Sequence, residues 1–125
     1  MKSVCKRIFN KNNKLIYELN DVDETIIKYD NRGNIVYSKN WNIKSGEVWY
    51  EQYQEFDKNN NLIHFKDIAN DNEYFKKYDE NNKCILTSYP NGEYLKSDYD
   101  SKGNPIKDID DEGNIVIYEN IYEEK

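Results

Sequence analysis

Short runs of alternating apolar and polar residues fill this chain, and six times the same device interrupts them. An apolar residue is followed by Asn or Asp, two free positions, Gly or Asn, and one polar residue, after which apolar positions resume. The copies begin at Phe9-Asn10, Tyr29-Asp30, Phe56-Asp57, Tyr78-Asp79, Tyr99-Asp100 and Ile109-Asp110. Repetition on this scale sets an architecture before any single motif is weighed.

Three residues after each Asn or Asp stand Asn13, Gly33, Asn60, Asn82, Gly103 and Gly113, the two residue types that most readily accept positive φ. An Asx side chain opening a type I turn accepts a backbone N–H two residues on. A type I turn closed by one left-handed residue is a three-residue hairpin loop. The spacing therefore predicts six hairpin corners of one kind, with Phe9/Leu15, Tyr29/Ile35, Phe56/Leu62, Tyr78/Cys84, Tyr99/Pro105 and Ile109/Ile115 paired across them. On the other face, Ile16, Val36, Ile63, Ile85, Ile106 and Val116 are expected opposite Ile8, Lys28, Glu55, Lys77, Asp98 and Asp108. One apolar and one half-polar face suit an antiparallel sheet with a single buried side.

Looser turn signals lie between the corners, at Asn20–Asp23, Lys44–Gly46, Asn70–Asn72 and Asn91-Gly92. The last is the strongest local hairpin signal in the chain. The turns delimit about eleven strands, near 4–9, 14–19, 25–29, 34–43, 47–56, 61–68, 73–78, 83–89, 93–99, 104–109 and 114–122. No stretch has a helical period, and every connection is short, so sequence neighbours should be sheet neighbours. The expected fold is all-β: one domain over residues 1–125, a curled antiparallel meander of about eleven strands.

Composition narrows this picture. Apolar residues make up 37% of the chain and twelve residues are Tyr. A thick two-layer core is therefore not expected, and a single sheet with aromatics filling its concave side fits better. Residues 1–10 carry Lys and Arg without an apolar run, so no secretory signal is expected, and no run reaches the length of a membrane span. Cys5 and Cys84 form no motif and read as reduced thiols, which points to a cytoplasmic address.

Charge is uneven along the chain. Residues 1–62 hold 10 Lys/Arg and 9 Asp/Glu, whereas residues 63–125 hold 8 and 15. A negative C-terminal surface suits a basic protein partner and opposes direct binding of nucleic acid. Asp98, Asp108, Asp110, Asp111, Glu112 and Glu119 are the candidate partner-binding acids, with Trp41 and Trp49 as aromatic anchors.

Catalytic and metal signals are weak. The single His64 lies in a predicted strand without a nucleophile or orienting group in its motif, and the glycines are isolated turn residues. Asp108, Asp110, Glu112, Gly113 and Glu119 match the spacing of a calcium-binding EF-hand loop, but strands rather than helices are expected on both sides. Asp110 and Gly113 are already explained as corner positions. No catalytic residue, metal site or cofactor is assigned, and an enzyme is not expected.

The corner Tyr-Asp-x-x-Gly-Asn-x-Ile resembles the YD repeats of the RHS family. The stretch 91–106, which runs from Asn91-Gly92-Glu93-Tyr94-Leu95 through Tyr99-Asp100 to Gly103-Asn104-Pro105-Ile106, is the clearest copy, and Tyr29–Ile35 is a second. In large RHS proteins such repeats build a shell around a toxin. Small proteins with these repeats resemble immunity proteins of bacterial polymorphic toxin systems, including contact-dependent growth inhibition. The resemblance implies a protein that binds a cognate toxin domain, in particular a basic nuclease, and occludes its active site. The alternative it implies is a structural YD-repeat fragment or scaffold. Such a protein is expected to be a monomer or an edge-paired dimer without a membrane partner.

Overall fold

The computed structural model describes residues 2–124. Eleven strands follow in chain order: β1 (Lys6–Phe9), β2 (Leu15–Leu19), β3 (Asp23–Tyr29), β4 (Ile35–Asn42), β5 (Val48–Phe56), β6 (Leu62–Asp67), β7 (Asn72–Tyr78), β8 (Cys84–Ser88), β9 (Tyr94–Tyr99), β10 (Pro105–Asp110) and β11 (Ile115–Ile117). They form one antiparallel sheet in the order β1 to β11, with β1 and β11 as its two outer strands. The all-β meander expected from the repeat is the observed fold.

The corners obey their chemistry. Asn13, Gly33, Asn60, Asn82, Gly103 and Gly113 all have φ between 62° and 88°. In every corner the Asx carboxylate or amide oxygen accepts the N–H two residues on, as in Arg32 N to Asp30 Oδ1 at 2.9 Å. The same oxygen also accepts the N–H four residues on, as in Asn34 N to Asp30 Oδ1 at 2.9 Å. One side-chain oxygen thus fastens both ends of each loop. All six predicted cross-corner pairs are formed.

The second row of predicted pairs is shifted at five corners. Ile16, Val36, Ile63, Ile85 and Ile106 are each an extra residue in a β-bulge, so Ile8 faces Tyr17, Lys28 faces Tyr37, Glu55 faces His64, Lys77 faces Leu86 and Asp98 faces Lys107. Only Val116 opposite Asp108 keeps the expected register. A bulge inserts one residue into one strand, and that changes the pairing of every position beyond it. Trp49 is the extra residue of a further bulge between β4 and β5. The Asn91-Gly92 turn also differs from a two-residue hairpin. Tyr89 N donates to Glu93 O and Gly92 N donates to Tyr89 O, so the loop is Pro90-Asn91-Gly92 in the corner geometry.

A constant register joins successive hairpins. The residue seven after one corner's Asx pairs with the residue four before the next: Tyr17 with Ile26, Tyr37 with Tyr53, His64 with Phe75 and Leu86 with Lys96. The ladder between hairpins stops there, short of the corner edge.

Each strand touches only its sequence neighbours, so nothing packs across the sheet. Among the described residues no apolar side chain is buried, and the three buried residues are Ser38, Asn40 and Asp67. The concave aromatic core expected from composition is absent. The aromatics instead cover one another side by side, in the ladder pairs Tyr37–Tyr53 (centroids 4.8 Å), His64–Phe75 (4.3 Å) and Phe65–Tyr74 (5.0 Å). A one-layer sheet offers no second layer for them to meet, and cross-strand pairs of this kind contribute roughly 0.2–1 kcal/mol each.

Candidate interface: the corner edge and the acidic end

Meander connectivity places the first five corners along one edge of the sheet and the sixth on the opposite edge. Along the five-corner edge adjacent hairpins are not joined by backbone bonds, so side chains close the gaps. Tyr29 Oη donates to Leu15 O at 2.8 Å, Tyr78 Oη to Leu62 O at 2.7 Å and Tyr99 Oη to Cys84 O at 2.5 Å. The tyrosine of each Tyr-Asp corner therefore satisfies a carbonyl that the splayed ladder leaves without an N–H. Phe56 has no hydroxyl, and Gln54, two residues earlier, donates from Nε2 to Ile35 O at 3.3 Å instead.

A second side-chain row links the loops themselves. Asn34 Nδ2 donates to Asn60 Oδ1, and Asn61 Nδ2 to Asn82 Oδ1, both at 2.9 Å. Arg32 adds a bond from Nη1 to Asp57 O at 2.7 Å. Where the last loop residue is Lys rather than Asn, the next corner carries Gly. A Cβ at Gly33 would lie 3.2 Å from Lys14 Cε, and one at Gly103 would lie 2.8 Å from Lys83 Cε. The two solutions are complementary: Asn reaches across to an Asn amide, whereas the longer Lys stem lies over a residue without a side chain.

At the C-terminal end the chain seals this edge itself. Tyr118 N donates to Ile106 O at 3.0 Å and Asn120 Nδ2 to Pro105 O at 2.8 Å, which carries the chain along β10 back to the fifth corner. There Asn104 Nδ2 donates to Tyr122 Oη at 2.7 Å, and Tyr122 Oη donates to Asp100 Oδ2 at 2.5 Å. Lys102 Nζ lies 4.2 Å from the Tyr122 ring centroid. The Tyr122 bond, with the loop N–H groups, holds the Asp100 carboxyl below its usual range. The bond to Asp100 in turn raises the Tyr122 hydroxyl.

The candidate acids divide into two groups. Asp108 accepts Ser97 Oγ and Tyr118 Oη, both at 2.7 Å. Asp110 accepts Glu112 N, Asn114 N and Asn114 Nδ2, and the Asn114 bonds foremost hold it below its usual range. Asp111 Oδ1 accepts Tyr94 N at 3.1 Å. These three have structural work, and Asp110 sits in its corner as an ordinary turn residue rather than in a helix-flanked loop. Asp98, Glu112 and Glu119 are exposed. Asp98 pairs across with Lys107 and alternates with Ser97, so it lies on the face opposite Asp108. The acids do not form one strip.

Trp41 and Trp49 sit on β4 and β5, several strands from the acids, and the structure does not bring the two groups together. Trp41 is half-buried beneath Lys39, whose Nζ lies 5.6 Å from its ring centroid, and Trp49 is exposed on its bulge. His64 bridges three strands, with Nδ1 3.3 Å from Glu55 and Nε2 2.7 Å from Glu73. Partial burial lowers the imidazole, but the bonds to Glu73 and Glu55 outweigh it and leave its pKa raised.

The linking residues Asn34, Asn61, Lys14 and Lys83 were not candidates from sequence. Their signal is the coupling between the last residue of one loop and the left-handed residue of the next, which becomes readable only when it is known which corners are neighbours.

No family model matches the chain. It is 29% identical over 108 residues to the tRNA(Glu)-specific nuclease WapA of Bacillus subtilis subsp. natto (strain BEST195), covering 86% of this chain and 5% of that protein. The tRNA nuclease WapA of Bacillus subtilis (strain 168) is 28% identical over 110 residues, again 86% of this chain and 5% of the relative. Among solved structures, a chain of the Photorhabdus luminescens Tc holotoxin pore superposes with a TM-score of 0.73 at 15% identity, over 86% of this chain and 7% of that one. A chain of the TcdB2-TccC3-TEV crystal structure gives 0.73 at 16% identity over the same shares. The sequence likeness falls on proteins named as tRNA nucleases, and the structural likeness, which includes a chain of a holotoxin pore, is a likeness of fold.

Proposed function

We propose that this chain is a non-enzymatic protein-binding sheet of a toxin-associated system, and specifically a cytoplasmic immunity protein that neutralises a cognate nuclease toxin by covering its active site. The observation that carries this reading is a one-layer sheet in which no apolar side chain among the described residues is buried, with a fold like that of a chain of a Tc holotoxin pore. Apolar and aromatic groups on such a sheet stay available to a partner, and exposed apolar surface of this extent marks interaction sites. Exposed Asp98, Glu112 and Glu119 supply long-range attraction for a basic domain, and Trp49 supplies an exposed aromatic anchor.

Co-expression tests the proposal. Cells producing the cognate nuclease domain should survive when this chain is present and die when it is absent. Survival that does not depend on the chain would reject it. A structural role within a larger repeat array is the second reading, favoured by a likeness that spans 86% of this chain but 5% of its relatives. Under that reading the isolated chain gives no protection.

A further inference from the structure

The corner-to-corner links obey a rule that the first hairpin leaves unfulfilled. Along the five-corner edge, a corner whose loop ends in Asn is followed by a corner with Asn at the left-handed position, as in Asn34 to Asn60 and Asn61 to Asn82. A corner whose loop ends in Lys is followed by Gly, as in Lys14 to Gly33 and Lys83 to Gly103. The first corner carries Asn13, the acceptor type, at φ 62°, and among the described residues no hairpin stands beside β1. Asn13 is exposed.

Two further features of that edge match the sites where hairpins already join. Residues four to six before each later corner pair with the preceding hairpin, and the equivalents in the first are Lys6, Cys5 and Val4, with Val4 71% exposed. Phe9 stands where Phe56 stands, and Arg7 stands where Gln54 reaches back to a carbonyl. Arg7 holds Glu18 through Nε at 2.9 Å beside Cys5, and its side chain is 59% exposed. The opposite end is sealed, since Tyr122 occupies Asn104, the donor that a sixth neighbour on that edge would use.

We propose that the β1 edge is a recognition edge for a YD-type hairpin of another chain whose loop ends in Asn, seated with the residue seven after its Asx opposite Lys6. The incoming strand adds to residues 4–6 by backbone bonds, its loop Asn donates to Asn13 Oδ1, and Arg7 donates to its first carbonyl after the corner. This rests on the reading of the chain as a toxin-neutralising protein and goes beyond it: besides the contact that covers the nuclease active site, the β1 edge takes a repeat hairpin of the same partner. Two different occupants are distinguished by the test.

The experiment uses the full chain and a backbone-cyclised peptide of residues 50–67, which carries the Asp57 corner with its terminal Asn61. Titration followed by backbone amide resonances should move residues 4–13. The peptide with Asn61→Lys should bind about tenfold more weakly, the worth of one hydrogen bond. Asn13→Gly in the full chain should reverse that preference, and the left-handed corner tolerates Gly as it does at Gly33. Register is read separately with Cys84→Ser in the full chain, which leaves Cys5 as its one thiol. A Phe65→Cys peptide should then form a disulfide with Cys5, and His64→Cys and Lys66→Cys peptides should not. Equal binding of the Asn and Lys peptides, or unselective crosslinking, would overturn the proposal. Concentration-dependent assembly of the chain alone that the peptide suppresses would place the edge between copies and overturn a different-chain partner. Protection of cells with no peptide binding would overturn the edge while leaving the immunity reading intact. Peptide binding without protection would support the edge and count against immunity.

Discussion

Gln54 Nε2 donates to the carbonyl of Ile35 at 3.3 Å, the task that a tyrosine hydroxyl performs at three other junctions of the same edge. The junction needs a donor because the ladder between β4 and β5 ends at Tyr37 and Tyr53. The Tyr of a Tyr-Asp corner is therefore a hydrogen-bonding residue as well as an apolar one, and its replacement by Phe is tolerated where a donor stands two residues before.

Removing these donors should be felt individually. Tyr99→Phe leaves the Cys84 carbonyl without its bond and should lower stability by roughly 1 kcal/mol. Gln54→Leu should cost a similar amount, and Phe56→Tyr added to it should recover most of the loss. Urea denaturation of the three variants measures this, and a loss that Phe56→Tyr fails to recover would count against the interchange.

The loop-to-loop rule predicts coupling. Asn82→Gly loses the bond from Asn61, and Asn61→Lys places a long stem over a residue that has a Cβ. Together they recreate the Lys83/Gly103 arrangement. The double variant should be more stable than the sum of the single effects by roughly 0.5–1 kcal/mol in a double-mutant cycle. Additive effects would show that the two positions act independently.

Asp67 should be the costliest polar residue to remove. It is 5% exposed; its Oδ1 accepts Glu51 N, Ala69 N and Asn70 N, and its Oδ2 accepts Gln52 Nε2 and Asn70 Nδ2. Asp67→Ala strands several donors and should cost roughly 3 kcal/mol, against less than about 0.5 kcal/mol for exposed Asp98→Ala. Thermal unfolding of both variants checks the contrast.

Stability should decline at both ends of the pH scale, for opposite reasons. The loop N–H groups hold Asp30 and Asp57 below the usual carboxylate range, so their contribution is present above about pH 4 and is lost as pH falls through the lower folded values. Asp57→Asn should shrink this acid limb and still fold, since Asn10 makes the same bonds in the first corner. His64 has a raised folded pKa, so its contribution is full below about pH 6.5 and is lost as pH rises through the folded value. His64→Gln should flatten that limb. Denaturation midpoints from pH 2 to 9 read both, and a profile unchanged by either substitution would remove the assignment.

If exposed acids steer a basic toxin, neutralising Asp98, Glu112 and Glu119 together should slow association and weaken its dependence on salt, with little change in dissociation. Stopped-flow mixing at two ionic strengths separates the rates. Substituting Asp108 or Asp110 instead should first destabilise the last hairpins, because their oxygens hold Ser97, Tyr118 and the loop.

The amino-acid sequence by itself determined the six corners and the first pair at each, and, with the looser turn signals between them, the strand count and the sheet order. This is local chemistry: an Asx oxygen within reach of two nearby N–H groups and a residue that accepts positive φ act within five positions of one another. What lies past the corner was decided only by tertiary structure. The bulges at Ile16, Val36, Ile63, Ile85 and Ile106 relieve a mismatch between a tight loop and two twisted strands, so face assignments from alternation shift by one residue. Composition argued against a thick two-layer core, but that no apolar side chain among the described residues is buried was hidden, because alternating apolar residues read the same whether a second layer covers them or solvent does. The edge also needed the fold. Asn61 and Asn82 are 21 residues apart and become partners only when two hairpins stand side by side, and Asn13 is recognisable as an acceptor without a donor among the described residues only against those pairs.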